Sequence, residues 1–264
     1  MKIRAIAVNT FATLVRDRLL IIFCAVFLCV LLLMLGMLSM MKEQTEGTDM
    51  PAWIPLIGAI MGLVSGLGSL LAAWAAADAV WSEMRSGTIL AVMARPVRRW
   101  EFLLGKYLGV QLLMAVYVLF LFGMSYLLAW IGGARIQSTA WVLIAYPMVR
   151  YAIYSAMAML LATALHPVLS FGIVMVVSVL ASMLGPGGSA LGRFVPAWLR
   201  GAAYSVLPST DLLSETRFLT ITEARLKLVP WTNHAIALAY GLDYALVLFL
   251  LAVWAFRRRG LVRN

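Results

Sequence analysis

The sequence predicts an all-α fold: a polytopic membrane protein with six transmembrane helices, an amphipathic N-terminal interface helix and a short cytoplasmic helix held between two spans. Three observations lead there. Of 264 residues, 64% are hydrophobic and 12% charged, about half the charged share of an ordinary soluble domain, which excludes a water-soluble globule. The mean hydropathy of +0.96 is concentrated in runs close to the ~20 residues that cross a bilayer as a helix. The formal net charge of +10 sits in short segments beside those runs, where Lys and Arg orient membrane helices. A nucleic-acid surface is thereby disfavoured.

Taken in order, the first element covers residues 1–18. Ile3, Ile6, Ala7, Phe11, Leu14 and Val15 recur at helical spacing, while Lys2, Arg4, Asn9 and Arg16 fall mostly elsewhere on the wheel, the pattern of a helix lying on a membrane surface. The spans follow at Leu19 to Met41, Ile54 to Val80, Phe102 to Ile131, Ala140 to Leu165, Val168 to Leu184 and Ala235 to Phe256, a transmembrane domain over residues 19–256. The first run is longer than a signal-peptide core and lacks a small-x-small cleavage pattern after it, so it reads as a retained helix. Six crossings place both termini on one side. Assigning that side to the cytoplasm puts Lys2, Arg4, Arg16, Arg18, Arg85, Arg95, Arg98, Arg99, Lys106, Arg257, Arg258, Arg259 and Arg263 inside, a clear majority of the basic residues and the bias that positive-inside topology requires. The outer segment, residues 185–233, is too long for a plain connection. Gly185, Pro186, Gly187 and Gly188 break the fifth span, and Leu191, Phe194 and Trp198, then Leu212, Leu213 and Phe218, predict short amphipathic helices over the outer mouth. Residues 257–264 form a basic cytoplasmic tail.

The inner loop at residues 82–101 carries the functional information. Glu83 and Arg85 place charge beyond the second span; Gly87 and Thr88 suit a turn and a helix start; Ile89, Leu90, Val92 and Met93 make a short apolar helix. Pro96 ends it, because the residue before proline resists helical geometry. A short helix held out between two spans is shaped to enter a groove on a cytoplasmic partner. Arg95, Arg98 and Arg99 also fit topology determinants that touch anionic lipid, Arg98 above all.

The run of Glu83, Gly87, Thr88, Arg95, Pro96, Val97, Arg99, Phe102, Gly105 and Lys106 resembles the signature of the permease subunits of the second class of bacterial ABC exporters. It is most similar to those of multicopper-enzyme and nitrous-oxide-reductase maturation. The resemblance implies a coupling helix that docks on a separate cytoplasmic ABC ATPase, with Glu83, Gly87, Thr88, Arg95, Pro96 and Arg99 as the candidate ATPase-coupling residues. It implies two permease copies as a dimer in the bacterial inner membrane, both termini cytoplasmic, with a periplasmic partner left open. The chain has no Gly-x-x-x-x-Gly-Lys-Ser/Thr, and Gly105-Lys106 runs into Tyr107, so it holds no phosphate loop of its own. ATP and Mg are expected on the partner, and the chain itself is expected to be a non-catalytic subunit that moves substrate outward. Alternatives are a mechanical transmitter that passes ATPase motion to a periplasmic partner without transport, a membrane scaffold, and a copper exporter.

Within the spans, Gly58, Gly62 and Gly66 lie four apart, followed by Ser69 and Ala73. Small residues at this spacing let helix backbones approach, either another span or a second copy. Arg150 and Asp243 fall at similar depth and are read as a charge pair between the fourth and sixth spans; Asp78 and Lys106 are read as a tie at the inner interface. Met34, Met37, Met40 and Met41 with Cys24 and Cys29 suggest soft-metal ligation, but flexible apolar filling accounts for them, and no metal site is assigned.

Overall fold

A computed structural model describes residues 2–18, 53–85, 98–131, 142–184 and 231–258, together with a few positions in 21–33 and 196–226. The six described helices are α1 (Lys2–Val15), α2 (Trp53–Arg85), α3 (Arg99–Ile131), α4 (Val142–Ala162), α5 (Pro167–Leu184) and α6 (Trp231–Arg258). β1 (Ile221–Thr222) and β2 (Arg225–Leu226) form a minimal antiparallel ladder, Ile221 opposite Leu226 and Thr222 opposite Arg225. This ladder lies in the outer segment just beyond the stretches where amphipathic helices are expected, which fall largely outside the described residues. Ile221 and Thr222 are both β-branched, and such residues favour extended chain.

Among the described residues, Arg99–Phe120, Ile144–Ala162 and Thr232–Arg258 are long and apolar enough to cross a membrane, and Pro167–Ala181 is a shorter apolar helix. The predicted first span falls largely outside the described residues, as does the basic tail from residue 259 onward. The 33 residues each of α2 and α3 correspond to about 50 Å of helix at 1.5 Å per residue, well beyond the hydrocarbon thickness. Both helices therefore extend past the predicted span ends at Val80 and Phe102, and they do so at the end of the bundle that carries Arg85, Arg98, Arg99, Arg257 and Arg258. We call this the basic end.

Local chemistry sets the helix ends. In α1, Thr10 and Thr13 donate back to the carbonyls of Ile6 and Asn9 at 2.8 and 2.9 Å, so both hydroxyls are satisfied inside the helix. The helix closes as the amides of Arg16 and Asp17 turn to Thr13 and Leu14. At the start of α3, Glu101 Oε2 accepts from the Arg98 amide at 2.8 Å, while the Phe102 amide reaches the Arg98 carbonyl. A glutamate reaching back across the first turn is half of a capping box. Between α4 and α5, His166 Nδ1 accepts from the Val168 amide at 3.3 Å, and Pro167 opens α5 at a position where its missing N–H costs nothing.

α4 is the centre of the bundle, packed on α2, α3, α5 and α6. Residues 151–159 are buried without interruption, as expected of a helix apolar all round. Against it lies an alanine-rich stretch of α2, with Ala72, Ala73, Ala76, Ala77 and Val80 fully buried. Small side chains bring the axes together, and hydrogen bonds add to the contact. Gln111 of α3 donates to Ser155 at 2.6 Å, Tyr107 to the Ala152 carbonyl at 3.1 Å, and Tyr154 pairs with Ser178 of α5 at 2.7 Å.

α1 packs along α3. A methyl group at Gly105 would stand 2.7 Å from the Ile6 Cβ, and one at Gly109 would stand 2.6 Å from the Thr10 Cβ. Gly105 and Gly109 are four apart, so they form one groove, and α1 sits in it with Thr10 and Leu14 buried. The face predicted to meet lipid thus meets protein in large part. Arg4, Ala5, Val8, Asn9 and Ala12 line the side turned outward.

Candidate functional site

The two helices that frame the 86–97 loop are fastened together at its base. Lys106 of α3 is buried and forms an ion pair with Glu83 of α2, its ammonium also 5.8 Å from the Phe102 ring centroid. The tie expected between Asp78 and Lys106 is made by Glu83 instead. Because α2 continues as helix to Arg85, its last turn runs beside the first turns of α3 and brings Glu83 to Lys106. Asp78 stays within electrostatic reach of Lys106, as it does of Asp17 beyond α1.

On the other side of the loop, Arg99 turns inward. Its Nη1 donates to the Arg257 carbonyl at 2.9 Å and to that of Phe256 at 3.5 Å. These are carbonyls of the last turn of α6, which have no partner within their own helix. A guanidinium there also faces the negative end of the helix dipole. Phe102 stacks on Phe256 with ring centroids 6.0 Å apart, and Arg258 lies 3.9 Å from the Trp254 ring centroid. Arg99 is therefore joined to its own chain, a role that its place in an arginine-rich loop does not reveal. Gly87, Thr88, Arg95 and Pro96 lie outside the described residues.

A second polar cluster lies at the opposite end. Tyr146 of α4 and His234 of α6 are both buried and hydrogen-bonded at 2.8 Å between the hydroxyl and Nδ1. Arg150, one turn along α4, donates to the Leu213 carbonyl. Leu213 is fully buried between α4 and α6, and a methyl at Gly241 would come within 3.2 Å of it. The structure does not unite Arg150 with Asp243: it directs the guanidinium to Leu213, while Asp243 is exposed on α6. Helical phase accounts for this, since Asp243 shares a face with the exposed Ile236, Val247 and Leu250, whereas Gly241 and Ala245 face α4. Equal depth, the basis of the sequence pairing, says nothing about direction around the helix. The Tyr146–His234 pair went unnoticed in the sequence, since His234 precedes the predicted start of the last span.

Of the glycines in α2, Gly62 and Gly66 are exposed and open, and the surroundings of Gly58 lie outside the described residues. The small-residue contact inside this chain begins two residues later, on a different face of the helix, at Gly68 against Tyr151. Cys29 is a free, exposed cysteine, while Cys24 and Met34, Met37, Met40 and Met41 lie outside the described residues.

None of the curated proteins matches the chain. A family model described as ABC-2 family transporter protein matches residues 4–261, from the first turn of α1 to beyond the end of α6. The chain accordingly belongs to the ABC-2 transporter family, as a multi-pass permease subunit of an ABC transporter that partners an ATP-binding subunit.

Proposed function

We propose that this permease forms an exporter in the bacterial inner membrane, with the basic end in the cytoplasm and the 86–97 loop seated on the ATPase. The observation that carries this reading is the construction of the loop base. Its entering helix is clamped by Glu83–Lys106 and its leaving helix by Glu101 and Arg99, so a force on the loop is delivered to helices and not lost in slack chain. Gly87, Thr88, Arg95 and Pro96 supply the contact surface. ATP and Mg are bound by the ATPase, and two copies of this chain enclose the substrate path. The open glycines Gly62 and Gly66 give the second copy a surface for close approach. Within the family, the loop motif favours the enzyme-maturation branch.

A mechanical transmitter is the second reading. It draws support from the tie between Arg150 and Leu213, which fixes the segment before α6 to the bundle and lets helix motion reach a periplasmic partner. A mild-detergent pull-down from native membranes, with mass spectrometry and ATP turnover, tests both. Recovery of a nucleotide-binding subunit that is lost on G87L or R95A supports the coupling loop. Failure to recover it while the permease dimer persists overturns the exporter and transmitter readings alike.

A further inference from the structure

We infer that Arg99 is a positioning residue which makes α6 a strut between the loop base and Leu213, buried between α4 and α6. The inference rests on the ATPase-coupled reading above and departs from what the loop's resemblance implies for Arg99, a candidate ATPase-coupling residue. Three observations carry it. The Arg99 guanidinium donates to two carbonyls of the last turn of α6, so movement of the α3 start is transferred to α6 through a charge-assisted contact. α6 is a continuous helix of 28 residues without proline, about 42 Å long at 1.5 Å per residue, and a hydrogen-bonded helix of that kind transmits axial displacement with little compression. Fifteen residues before Phe256, about 22 Å along the helix at 1.5 Å per residue, Gly241 lets α6 press on Leu213, whose carbonyl is held by Arg150. Leu213 is thus in contact with the strut on one side and fastened to the central helix on the other. A small shift of α6 against α4 changes the seat of Leu213, and with it the chain on either side.

The geometry also explains the choice of residue. The acceptors are backbone carbonyls at the negative end of a helix dipole, so an N–H donor is required at position 99 and a cation is favoured there, whereas a hydrophobic side chain of similar length would pack without holding the helix end.

The test uses the complex purified with its ATPase from native membranes, with Cys24 and Cys29 replaced by serine and the single substitution L213C as reporter. The rate of maleimide labelling at that position is compared with and without ATP and Mg. With arginine at position 99, nucleotide is expected to change the rate about fivefold or more. R99M is expected to keep the ATPase bound and to reduce the change below about twofold, and R99K to restore at least half of it. If R99M does not assemble, R99Q and R99K are compared by the same ratio. A full nucleotide response in R99M or R99Q overturns the strut. So does loss of the ATPase from these variants, which would make Arg99 a partner contact and leave the proposed function standing. Absence of any nucleotide response with the ATPase bound and active and arginine in place overturns the strut alone, whereas absence of the ATPase altogether overturns the proposed function and the strut with it.

Discussion

Lys106 and Glu83 are unequally shielded: the lysine side chain is 6% exposed and the glutamate 21%. Neutralising the glutamate leaves a buried ammonium without its counter-ion, the costlier of the two halves. E83Q is expected to destabilise the folded protein by about 2–3 kcal/mol, below the ~3–5 kcal/mol of a fully buried broken pair, because Glu83 keeps some contact with water and Asp78 stays within electrostatic reach of Lys106. K106M is expected to cost less, and thermal unfolding in nanodiscs separates the two. At the other end, Y146F leaves His234 buried with its ring nitrogen deprived of the hydroxyl, at an expected cost of about 1–3 kcal/mol. The double variant Y146F/H234F should recover part of that loss in the same assay. The sequence shows that such residues are polar within apolar surroundings, but partner choice depends on phase around the helix. Arg150 and Asp243 illustrate the limit, for their common depth was legible and their different directions were not.

Helices were the most legible level, because apolar runs and end signals act locally. Pro167 opening α5 is a backbone rule that can be read without a fold. The extension of α2 to Arg85 was not legible, since the segment from Trp81 to Arg85 is only mildly apolar and is helical by continuation from the span. The seat of α1 was hidden for another reason. Gly105 stands beside Lys106 in the loop motif, and only with Gly109 does it define a groove. G109L is expected to displace α1 from α3, and limited trypsin digestion should show cleavage near Arg16 and Arg18 at least about fivefold faster, while L108A, at an exposed position on the same turn, leaves the rate unchanged. On α2 the contrast is between packed and open positions. A76L introduces bulk at a fully buried alanine, an overpacking cost of about 1–3 kcal/mol, whereas G62L meets open space and should leave the melting temperature of the single chain unchanged.

At the scale of the whole molecule, G62L and G66L separate the two uses of small residues in α2. If the second copy approaches there, native mass spectrometry will show the dimer lost and the monomer intact. Retention of a stable dimer places the interface elsewhere. Composition made the membrane class legible from the start, since no arrangement of so apolar a chain hides its surface in water. Family membership became legible through one loop, whereas the joining of its base to α6 depended on contacts between residues more than 150 positions apart. The central place of α4 bears on how the protein is made. α4 leaves the ribosome before α6, the helix that covers Tyr146, Val149 and Ile153. Until residues 231–258 emerge, that side of α4 faces lipid or the insertion machinery, so the bundle stays open through most of its synthesis and closes with its last helix. A chain halted after α5 therefore carries Arg150 without the Leu213 carbonyl that accepts from it, a mark by which cellular quality control can tell an unfinished copy from a finished one.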